Sequence, residues 1–278
     1  MTQQQFLSAL FQRNQHGFTG YPSKTLAAEF TDRLFHFLFG ATKGKMRNLL
    51  DVENAYANLQ GHLQTLLQDV IANTQTLQTA AEAFFEEIPS IYEVLLEDAN
   101  AILEFDPAAR SVEEVLIAYP GFFATAVYRF AHALWELDVP VLPRILTEYA
   151  HSNTGIDIHP GATIGKAFAI DHGTGIVIGE TTVIGDHVKI YQGVTLGALN
   201  VAKSKGADTK RHPTIEDNVI IYSGASILGG TTVVGHDSII GGNVFLTYSV
   251  PAASVVYHKS EIRVKDNNPF PEPLNFVI

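Results

Sequence analysis

Histidine, aspartate and arginine are concentrated in three short segments of the second half of the chain. These segments are Asp157–His159, Asp171–His172 and Arg211–His212. A carboxylate bonded to one imidazole nitrogen fixes the tautomer and leaves the other nitrogen as a base near neutral pH. Asp157 and His172 are the predicted pair of this kind, and the attacking hydroxyl would then belong to the substrate. A lone His–Asp pair is more often structural, so catalysis requires the three segments to converge.

The same residue types argue against a metal centre. The chain has no cysteine, which excludes thiolate ligands, disulfides and cysteine nucleophiles. Histidines that share one zinc ion commonly lie a few residues apart. From His159 onward, successive histidines are separated by at least thirteen residues. We therefore predict that the protein uses no metal.

A six-residue repeat of aliphatic residues runs through the second half and must position these segments. Each hexapeptide is expected to form one short strand with its aliphatic residue inward, and three hexapeptides close one triangular coil. Because each coil covers the strand edges of its neighbour, the stack needs a terminal cap, which the N-terminal helices can provide. The pattern predicts a left-handed parallel β-helix, an exception to the right-handed crossover preference. Thirteen anchors carry it, with shifts after positions 170 and 221: Ile158, Ile164, Ile170, Ile178, Ile184, Ile190, Leu196, Ile215, Ile221, Leu228, Val234, Ile240 and Leu246.

The first half of the chain has a different architecture. Only six of the twenty-two glycines lie in residues 1–150, and apolar residues recur there at helical spacing. The chain is therefore predicted to be α plus β-solenoid. The expected helices span 26–38, 46–78, 91–105, 112–118, 121–137 and 141–151.

Local signals set several of the expected helix starts. Ser90 with Glu93 and Ser111 with Glu114 form capping boxes. Asp106-Pro107 is typical of an N-cap followed by a proline in the first helical turn. The two capping boxes predict separate helices that begin at residues 91 and 112, and Asp106 is the predicted N-cap of a helical turn that starts with Pro107.

The chain divides into three predicted parts. An all-α domain covers 1–152, a β-helix domain covers 153–260, and a tail covers 261–278. A loop at 198–211 interrupts the repeat and contains four basic residues and one acid. On a chain of net charge −11 this loop either holds an anionic ligand or is a solvated surface loop.

Composition excludes several classes of partner. The net charge of −11 argues against nucleic-acid and anionic-membrane surfaces, which need clustered Lys and Arg. The N-terminal segment has no signal-peptide pattern, and no run of eighteen apolar residues is present. We expect a cytoplasmic protein.

Four motifs stand out in the second half: Asp157-Ile-His-Pro160, the run from Asp171 to Glu180, Gly193-Val-Thr-Leu-Gly197 and Arg211-His-Pro213. They resemble the motifs of a known family, the serine O-acetyltransferases, which commit serine to cysteine synthesis. Upstream, 106–108 and 119–135 resemble the family's helical segment, so the resemblance covers roughly 88–250, and residues 1–85 have no recognised match. Two segments depart from the family pattern: Gly-Gly-Thr-Gly is replaced at 197–200, and Gly-x-Pro-Ala is replaced at 256–259.

The resemblance implies an acyl transfer from acetyl-CoA to the hydroxyl of L-serine. His172 would be the general base and Asp157 its orienting carboxylate. His212 would contact the reacting centre or the serine carboxylate, and Arg211 would pair with that carboxylate. Asp106 and Asp171 would hold the amino group.

The resemblance also implies a co-substrate site and partners. CoA would lie along the outside of the prism between subunits of a homotrimer, which in many family members pairs into a dimer of trimers. A C-terminal isoleucine, Ile278 here, would bind the active site of O-acetylserine sulfhydrylase. L-cysteine would inhibit by competing with serine. The residues expected along the pantetheine arm are Gly197, Ser223, Gly224 and Gly242.

Two alternatives remain open from the sequence. One is another O-acyltransferase of this fold, acting on a sugar, an antibiotic or homoserine. The other is a non-catalytic trimeric scaffold, for which His172 would be dispensable. Serine-dependent release of thiol from acetyl-CoA separates all three.

Overall fold

The computed structural model describes residues 1–16, 21–40, 46–199 and 209–259. Helices occupy the first part of the chain and a parallel β-solenoid of about five turns follows, so the predicted fold class is confirmed. Within the described residues, no helix combines the length and the apolar character that a membrane crossing requires.

The helical part contains seven helices within the described residues. The N-caps of α2 to α5 are Ser23, Asn48, Asn73 and Ser111, whose side chains each accept a hydrogen bond from the first turn of the helix. The helices are α1 (Gln3–His16), α2 (Lys24–Phe39), α3 (Leu49–Gln68), α4 (Thr74–Phe105), α5 (Val112–Ala118), α6 (Pro120–Glu136) and α7 (Leu142–Thr154).

The solenoid is built from strands of two or three residues that form three parallel sheets. We call the sheets of the prism the first face (β1-β4-β7-β10-β13), the second face (β11-β8-β5-β2) and the third face (β14-β12-β9-β6-β3). The strands are β1 (Asp157–Ile158), β2 (Thr163–Ile164), β3 (Ala169–Asp171), β4 (Val177–Ile178), β5 (Val183–Ile184), β6 (Lys189–Tyr191), β7 (Thr195–Gly197), β8 (Thr214–Ile215), β9 (Ile220–Ile221), β10 (Ser226–Leu228), β11 (Val233–Val234), β12 (Ile239–Ile240), β13 (Phe245–Leu246) and β14 (Val255–Val256).

One of the thirteen predicted anchors is wrong. Ile227, and not Leu228, is the inward residue of β10: it is fully buried and pairs with Leu196 and Leu246. Leu228 pairs with Gly197 and is only half-buried. Neighbouring residues of a strand point to opposite faces, so the misplaced shift exchanged an inward residue for an outward one. The extra residue follows Ile227.

The helix starts predicted near Ser90 and Asp106 are also wrong. Helix α4 continues through Pro89 and Ser90, because its apolar face buries Ile88 before the proline and Leu95 after it. Asp106 ends α4: it is the C-cap, and its carboxylate accepts a hydrogen bond from the N–H of Ala108. Ser111 is confirmed as the N-cap of α5 by its bond from the N–H of Glu114, whereas the carboxylate of Glu114 accepts the N–H of Arg110. The apolar stripe over 46–78 divides into α3 and α4.

Pro89 inside α4 removes one helical hydrogen bond, and another helix replaces it. A proline has no N–H, so the carbonyl four residues earlier, that of Phe85, loses its helical donor. The hydroxyl of Tyr56 in α3 donates to this carbonyl at 2.8 Å. The ring of Tyr56 also packs edge-on against Phe85, with centroids 5.1 Å apart. Helix α3 thereby stabilises the interrupted point of α4.

A buried ion pair joins the helices to the first coil of the solenoid. Asp98 in α4 is fully buried and accepts two hydrogen bonds from Arg129 in α6, at 2.6 and 3.0 Å. The same carboxylate accepts the N–H of Phe168 at 2.8 Å. The Arg129 guanidinium also donates to the carbonyls of Ile164 and Gly165. Burial raises the pKa of Asp98, against the opposing effect of Arg129, so the charge depends on this partner.

Replacement of Tyr56 by Phe removes the hydroxyl and leaves the Phe85 carbonyl without its donor. We expect the free energy of unfolding to fall by about 1–3 kcal/mol, the cost of an unsatisfied buried polar group. Urea denaturation measures this change. Tyr248→Phe is the matched control, because Tyr248 is exposed and should unfold at the wild-type midpoint. Equal midpoints for Tyr56→Phe and wild type would contradict the compensation at Pro89.

Candidate active site

The irregular corners of the solenoid carry the residues predicted to do chemistry. The step from Ile170 to Ile178 contains two residues more than the repeat requires, and His172 lies in this excess. His172 has a left-handed backbone, with φ of 57°, and its side chain is 72% exposed. It projects from the corner between the third and first faces, at a position that the six-residue repeat does not contain.

One predicted acid, Asp171, lies beside His172, and a second, Asp106, shares the neighbours Tyr119 and Tyr191 with Asp171. We call Asp106, Asp171 and His172 the acidic edge. Asp171 ends β3, and its carboxylate lies 3.7 Å from the Nε2 of His172. Asp106, at the end of α4, accepts a 2.7 Å hydrogen bond from the hydroxyl of Tyr119. This bond raises the pKa of Tyr119 to about 12, and the charge of Asp171 adds to the effect. The structure therefore brings together Asp106, Asp171 and His172.

The orienting contact predicted between Asp157 and His172 is not formed among the described residues. Asp157 instead accepts hydrogen bonds from Arg144 of α7, at 2.9 and 3.4 Å. Arg144 also forms an ion pair with Glu148, one turn later on the same helix, at 2.6 Å. Asp157 therefore lies in an ion-pair network on the first face, and His172 has Asp171 as its nearest carboxylate partner.

Arg211 and His212 occupy the opposite side of the first face, at the corner shared with the second face. We call Arg144, Arg211 and His212 the arginine edge. Arg211 forms an ion pair with Glu180. The imidazole of His212 occupies the space beside Gly179, where the Cβ of any other residue would overlap the ring. The close approach of His212 to the solenoid thus requires glycine at position 179.

Thr181 holds the segment that ends the inserted loop. Its hydroxyl oxygen accepts the N–H groups of Arg211 and His212, at 2.9 and 3.1 Å. Its own N–H donates to the Nδ1 of His212 at 3.0 Å, and its hydroxyl lies 2.9 Å from the same atom. Its carbonyl accepts the Nζ of Lys210 at 2.7 Å. One residue of the regular repeat thus contacts three consecutive residues of the loop.

These contacts determine the tautomer of His212. A backbone N–H can only donate, so Nδ1 must be the acceptor and the proton of the neutral ring lies on Nε2. Burial, followed by the positive charge of Arg211, lowers the pKa of His212 to about 4. His212 is therefore neutral near pH 7 and presents Nε2–H as a donor beside Gly179.

His159 links the charged residues of the arginine edge. Its Nδ1 accepts the N–H of Gly161 at 3.1 Å, and its ring packs edge-on against Trp135. Burial lowers the pKa of His159, while the charges of Glu180 and Arg144 act on it in opposite directions. The neutral form of His159 is thereby favoured, and the ring lies close enough to both groups to respond to their charge.

One group of metal-binding residue types occurs among the described residues. Glu148, His151 and Asp157 have ligand atoms within 4.8 Å of one another. The guanidinium of Arg144 already forms ion pairs with both carboxylates. A cation added there would compete with Arg144, so the arrangement does not fit a metal ion.

The residues predicted to contact CoA lie at two places on the first face. Gly197 ends β7 and pairs with Leu228, towards the second face. Ser223, Gly224 and Gly242 lie at the corner with the third face, where Gly224 has φ of +72° and stacks against Asn243. The left-handed backbone gives Gly224 a structural reason to be glycine. The inserted-loop residues 200–208 and Ile278 lie outside the described residues.

Three residues of the site were not identified from the sequence: Arg144, Tyr119 and Thr181. Tyr119 lies in the 119–135 stretch, and Thr181 directly follows the Asp171–Glu180 run. No sequence pattern links either residue to the side chain or backbone that it contacts in the structure. Arg144 lies on a helix for which the sequence pattern predicts only packing against other helices. Their roles depend on contacts between positions 13 to 30 residues apart, which local patterns do not report.

Comparisons with known proteins agree on one family. The family model described as "Serine acetyltransferase, N-terminal" matches residues 45–126, and so includes part of the 1–85 segment that the motifs left unmatched. The chain is 47% identical over 246 residues to a protein of Synechococcus elongatus described as "Serine acetyltransferase, plasmid". This alignment covers 84% of the chain and 74% of the relative.

Solved structures show the same likeness. Serine acetyltransferase 1 of Entamoeba histolytica, in complex with L-cysteine, superposes with a TM-score of 0.76 at 36% identity. The alignment covers 83% of this chain and 86% of that one. A serine acetyltransferase in complex with CoA superposes with a TM-score of 0.57 at 32% identity, covering 81% and 95% of the two chains.

Replacement of Thr181 by Val removes the hydroxyl that holds Arg211 and His212 and keeps the side-chain volume. We expect the pKa of His212 to rise from about 4 towards its ordinary value, because the ring becomes more exposed to water. NMR titration of the histidine rings measures this change. Thr182→Val is the matched control, because the buried hydroxyl of Thr182 has no hydrogen-bond partner among the described residues. An unchanged His212 titration in Thr181→Val would contradict the assigned role.

Proposed function

The chain belongs to the serine acetyltransferase family, and we infer from this premise that it transfers the acetyl group of acetyl-CoA to the hydroxyl of L-serine. The product is O-acetylserine, the precursor of cysteine. The roles of individual residues are our proposal. The observation that best supports these roles is that the predicted residues lie on the acidic edge and the arginine edge of the first face.

His172 is the general base. It takes the proton of the serine hydroxyl as the oxygen attacks the thioester carbon, and the tetrahedral intermediate then collapses with loss of the CoA thiol. The exposure of His172 and its position on a corner leave the imidazole accessible to a substrate. The carboxylate of Asp171 lies 3.7 Å from the Nε2 of His172, and it stabilises the imidazolium that forms when His172 takes the proton. Asp157 takes the orienting role if His172 turns towards the first face when substrate binds.

The substrate serine is recognised by its charged groups. Arg211 binds the carboxylate, because a guanidinium offers two parallel donors, and it leaves its pairing with Glu180 to do so. His212 presents its Nε2–H as a neutral donor to the carboxylate or the reacting carbonyl oxygen. Asp106 and Asp171 hold the ammonium group.

The separation of the two edges supports a homotrimer. The acidic edge and the arginine edge lie on opposite sides of the first face of one chain. A single protomer therefore does not bring the proposed base and the proposed carboxylate-binding residues together. A cyclic trimer joins different surfaces of neighbouring subunits. Such a ring brings the His172 of one protomer opposite the Arg211 and His212 of the next and places the site between subunits. A dimer of trimers requires a further interface, which the N-terminal helices would supply.

Acetyl-CoA is the acyl donor and lies in the groove between subunits. Gly197, Ser223, Gly224 and Gly242 border this groove on the first face, and the related structure with CoA supports binding there. Binding of Ile278 to O-acetylserine sulfhydrylase, the cytoplasmic location and the lack of a metal remain predictions.

The general base is tested by substituting His172. We expect His172→Asn to lower serine-dependent thiol release from acetyl-CoA by roughly 10²- to 10⁴-fold, the contribution of a positioned general base. Asparagine tolerates the left-handed backbone at this corner. His187→Asn is the matched control, since His187 is an exposed left-handed corner histidine elsewhere on the prism. Equal rates for His172→Asn and wild type would remove His172 from the mechanism.

L-cysteine should inhibit by competing with serine, because it carries the same ammonium and carboxylate groups and differs only in sulfur for oxygen. The related structure with L-cysteine supports this expectation. Cysteine should raise the KM for serine without lowering the maximal rate. Cysteamine, which lacks the carboxylate that Arg211 binds, is the control and should inhibit far less. An unchanged serine KM in the presence of cysteine would contradict competition at this site.

A further inference from the structure

His159 lies in the first of the four motifs, and the proposed mechanism gives it no role. It follows β1, and Gly179 takes the same position after β4 in the next coil. The register of these strands pairs Ile158 with Ile178, and the N–H of His159 donates to the carbonyl of Ile178 at 2.9 Å. The imidazole of His212 fills the space that Gly179 leaves open. The rings of His159 and His212 therefore lie on neighbouring layers of one corner, about 4.8 Å apart along the prism.

The two rings carry their proton on the same nitrogen. The Nδ1 of His159 accepts the N–H of Gly161 at 3.1 Å. The Nδ1 of His212 accepts the N–H of Thr181 at 3.0 Å. Because a backbone N–H can only donate, the proton of each neutral ring lies on Nε2. Burial lowers the pKa of both histidines, which favours this neutral form.

Neither Nε2–H has a hydrogen-bond acceptor among the described residues. In that part of the chain, the buried side-chain atoms that lack a partner are the Nε2 of His62 and the hydroxyl of Thr182. The Nε2 atoms of His159 and His212 do not belong to this group, so both are accessible to solvent. Two accessible donors on neighbouring layers can each donate to one oxygen of a carboxylate.

The charged groups around His159 suit a carboxylate. Arg211, the proposed partner of the serine carboxylate, is one of the groups whose charge acts on His159. A carboxylate already lies here, because Glu180 forms an ion pair with Arg211. The Cγ of Glu180 lies 3.1 Å from the position that a Cβ on Gly161 would take. The ring of His159 packs edge-on against Trp135, with centroids 5.3 Å apart, and this contact holds its orientation.

We propose that His159 and His212 together bind the carboxylate of the substrate serine beside Arg211, an assignment that rests on the proposed function. Each imidazole donates its Nε2–H to one carboxylate oxygen, and the guanidinium supplies the opposite charge. Both imidazoles are neutral, so they add directional hydrogen bonds without further charge. His159 thereby contributes to the selection of acceptors that carry a carboxylate near the reacting hydroxyl.

Two substitutions of His159 separate the roles of its two nitrogens. Asparagine keeps an acceptor near Nδ1 for the N–H of Gly161 and removes the distal donor, whereas glutamine places an amide donor near Nε2 and loses that acceptor. We expect His159→Asn to raise the KM for L-serine by roughly 10- to 100-fold, the value of a hydrogen bond to a charged group. His159→Gln should stay close to the wild-type KM. Both variants should keep the wild-type kcat and the wild-type KM for acetyl-CoA, because the carboxylate is bound equally in substrate and transition state.

His187→Asn is the matched control, since His187 is exposed and lies outside the arginine edge, and it should keep the wild-type KM for serine. The reverse order, an impaired His159→Gln and a normal His159→Asn, would limit His159 to holding Gly161 and overturn the proposal. An unchanged KM for serine in both variants would overturn it too. A lower kcat at an unchanged KM for serine would place the donor at the reacting oxygen and exclude the carboxylate.

Calorimetric titration with L-serine in the absence of acetyl-CoA tests the same site without turnover. His159→Asn should bind L-serine more weakly by the same factor, and ethanolamine, which lacks the carboxylate, should bind wild type and variant equally. Equal binding of L-serine to wild type and His159→Asn would remove His159 from the site. If wild type bound L-serine more tightly than His159→Asn but released no thiol from acetyl-CoA, the proposed function would fail and the carboxylate site would stand.

Discussion

The parallel pairing of successive coils is the constraint on which the rest of this structure depends. Each strand of two or three residues forms its hydrogen bonds only with the coils above and below, so no coil is stable without its neighbours. The pairing stacks Ile158, Ile178, Leu196, Ile227 and Leu246 into one buried column. It also sets the height of every outward side chain in steps of one strand spacing.

The residues that we propose for the chemistry lie where the repeat departs from this pairing. The two extra residues after Ile170 place His172 on the surface at the corner between the third and first faces. The loop inserted after Leu196 returns through Arg211 and His212, and Thr181 on the adjacent coil holds both. The rigid prism therefore positions irregular segments, and its regular positions supply the donors and acceptors that fix them.

The buried charge pair of Asp98 and Arg129, with its backbone partners, is one of the contacts that join the helical part to this prism. Asp98 and Arg129 connect α4 and α6 to the first coil. The strands of this coil have no preceding coil to pair with, so the helices cover their edges. The same helices deliver Asp106 and Tyr119 to the acidic edge. Capping of the solenoid and assembly of the site are thus consequences of one packing arrangement.

The sequence by itself determined the fold class and most of the residues that we propose for the active site. The six-residue spacing specifies the solenoid, because only inward aliphatic residues in register bury the core. Motif residues such as His172 and Arg211 are recognisable by type and order. Local patterns misplaced the inward residue of β10 and the start of α4, since packing on distant residues overrides a local cap. Only the tertiary structure decided that Arg144 holds Asp157, because ion pairs between a helix and a coil depend on how the two elements pack.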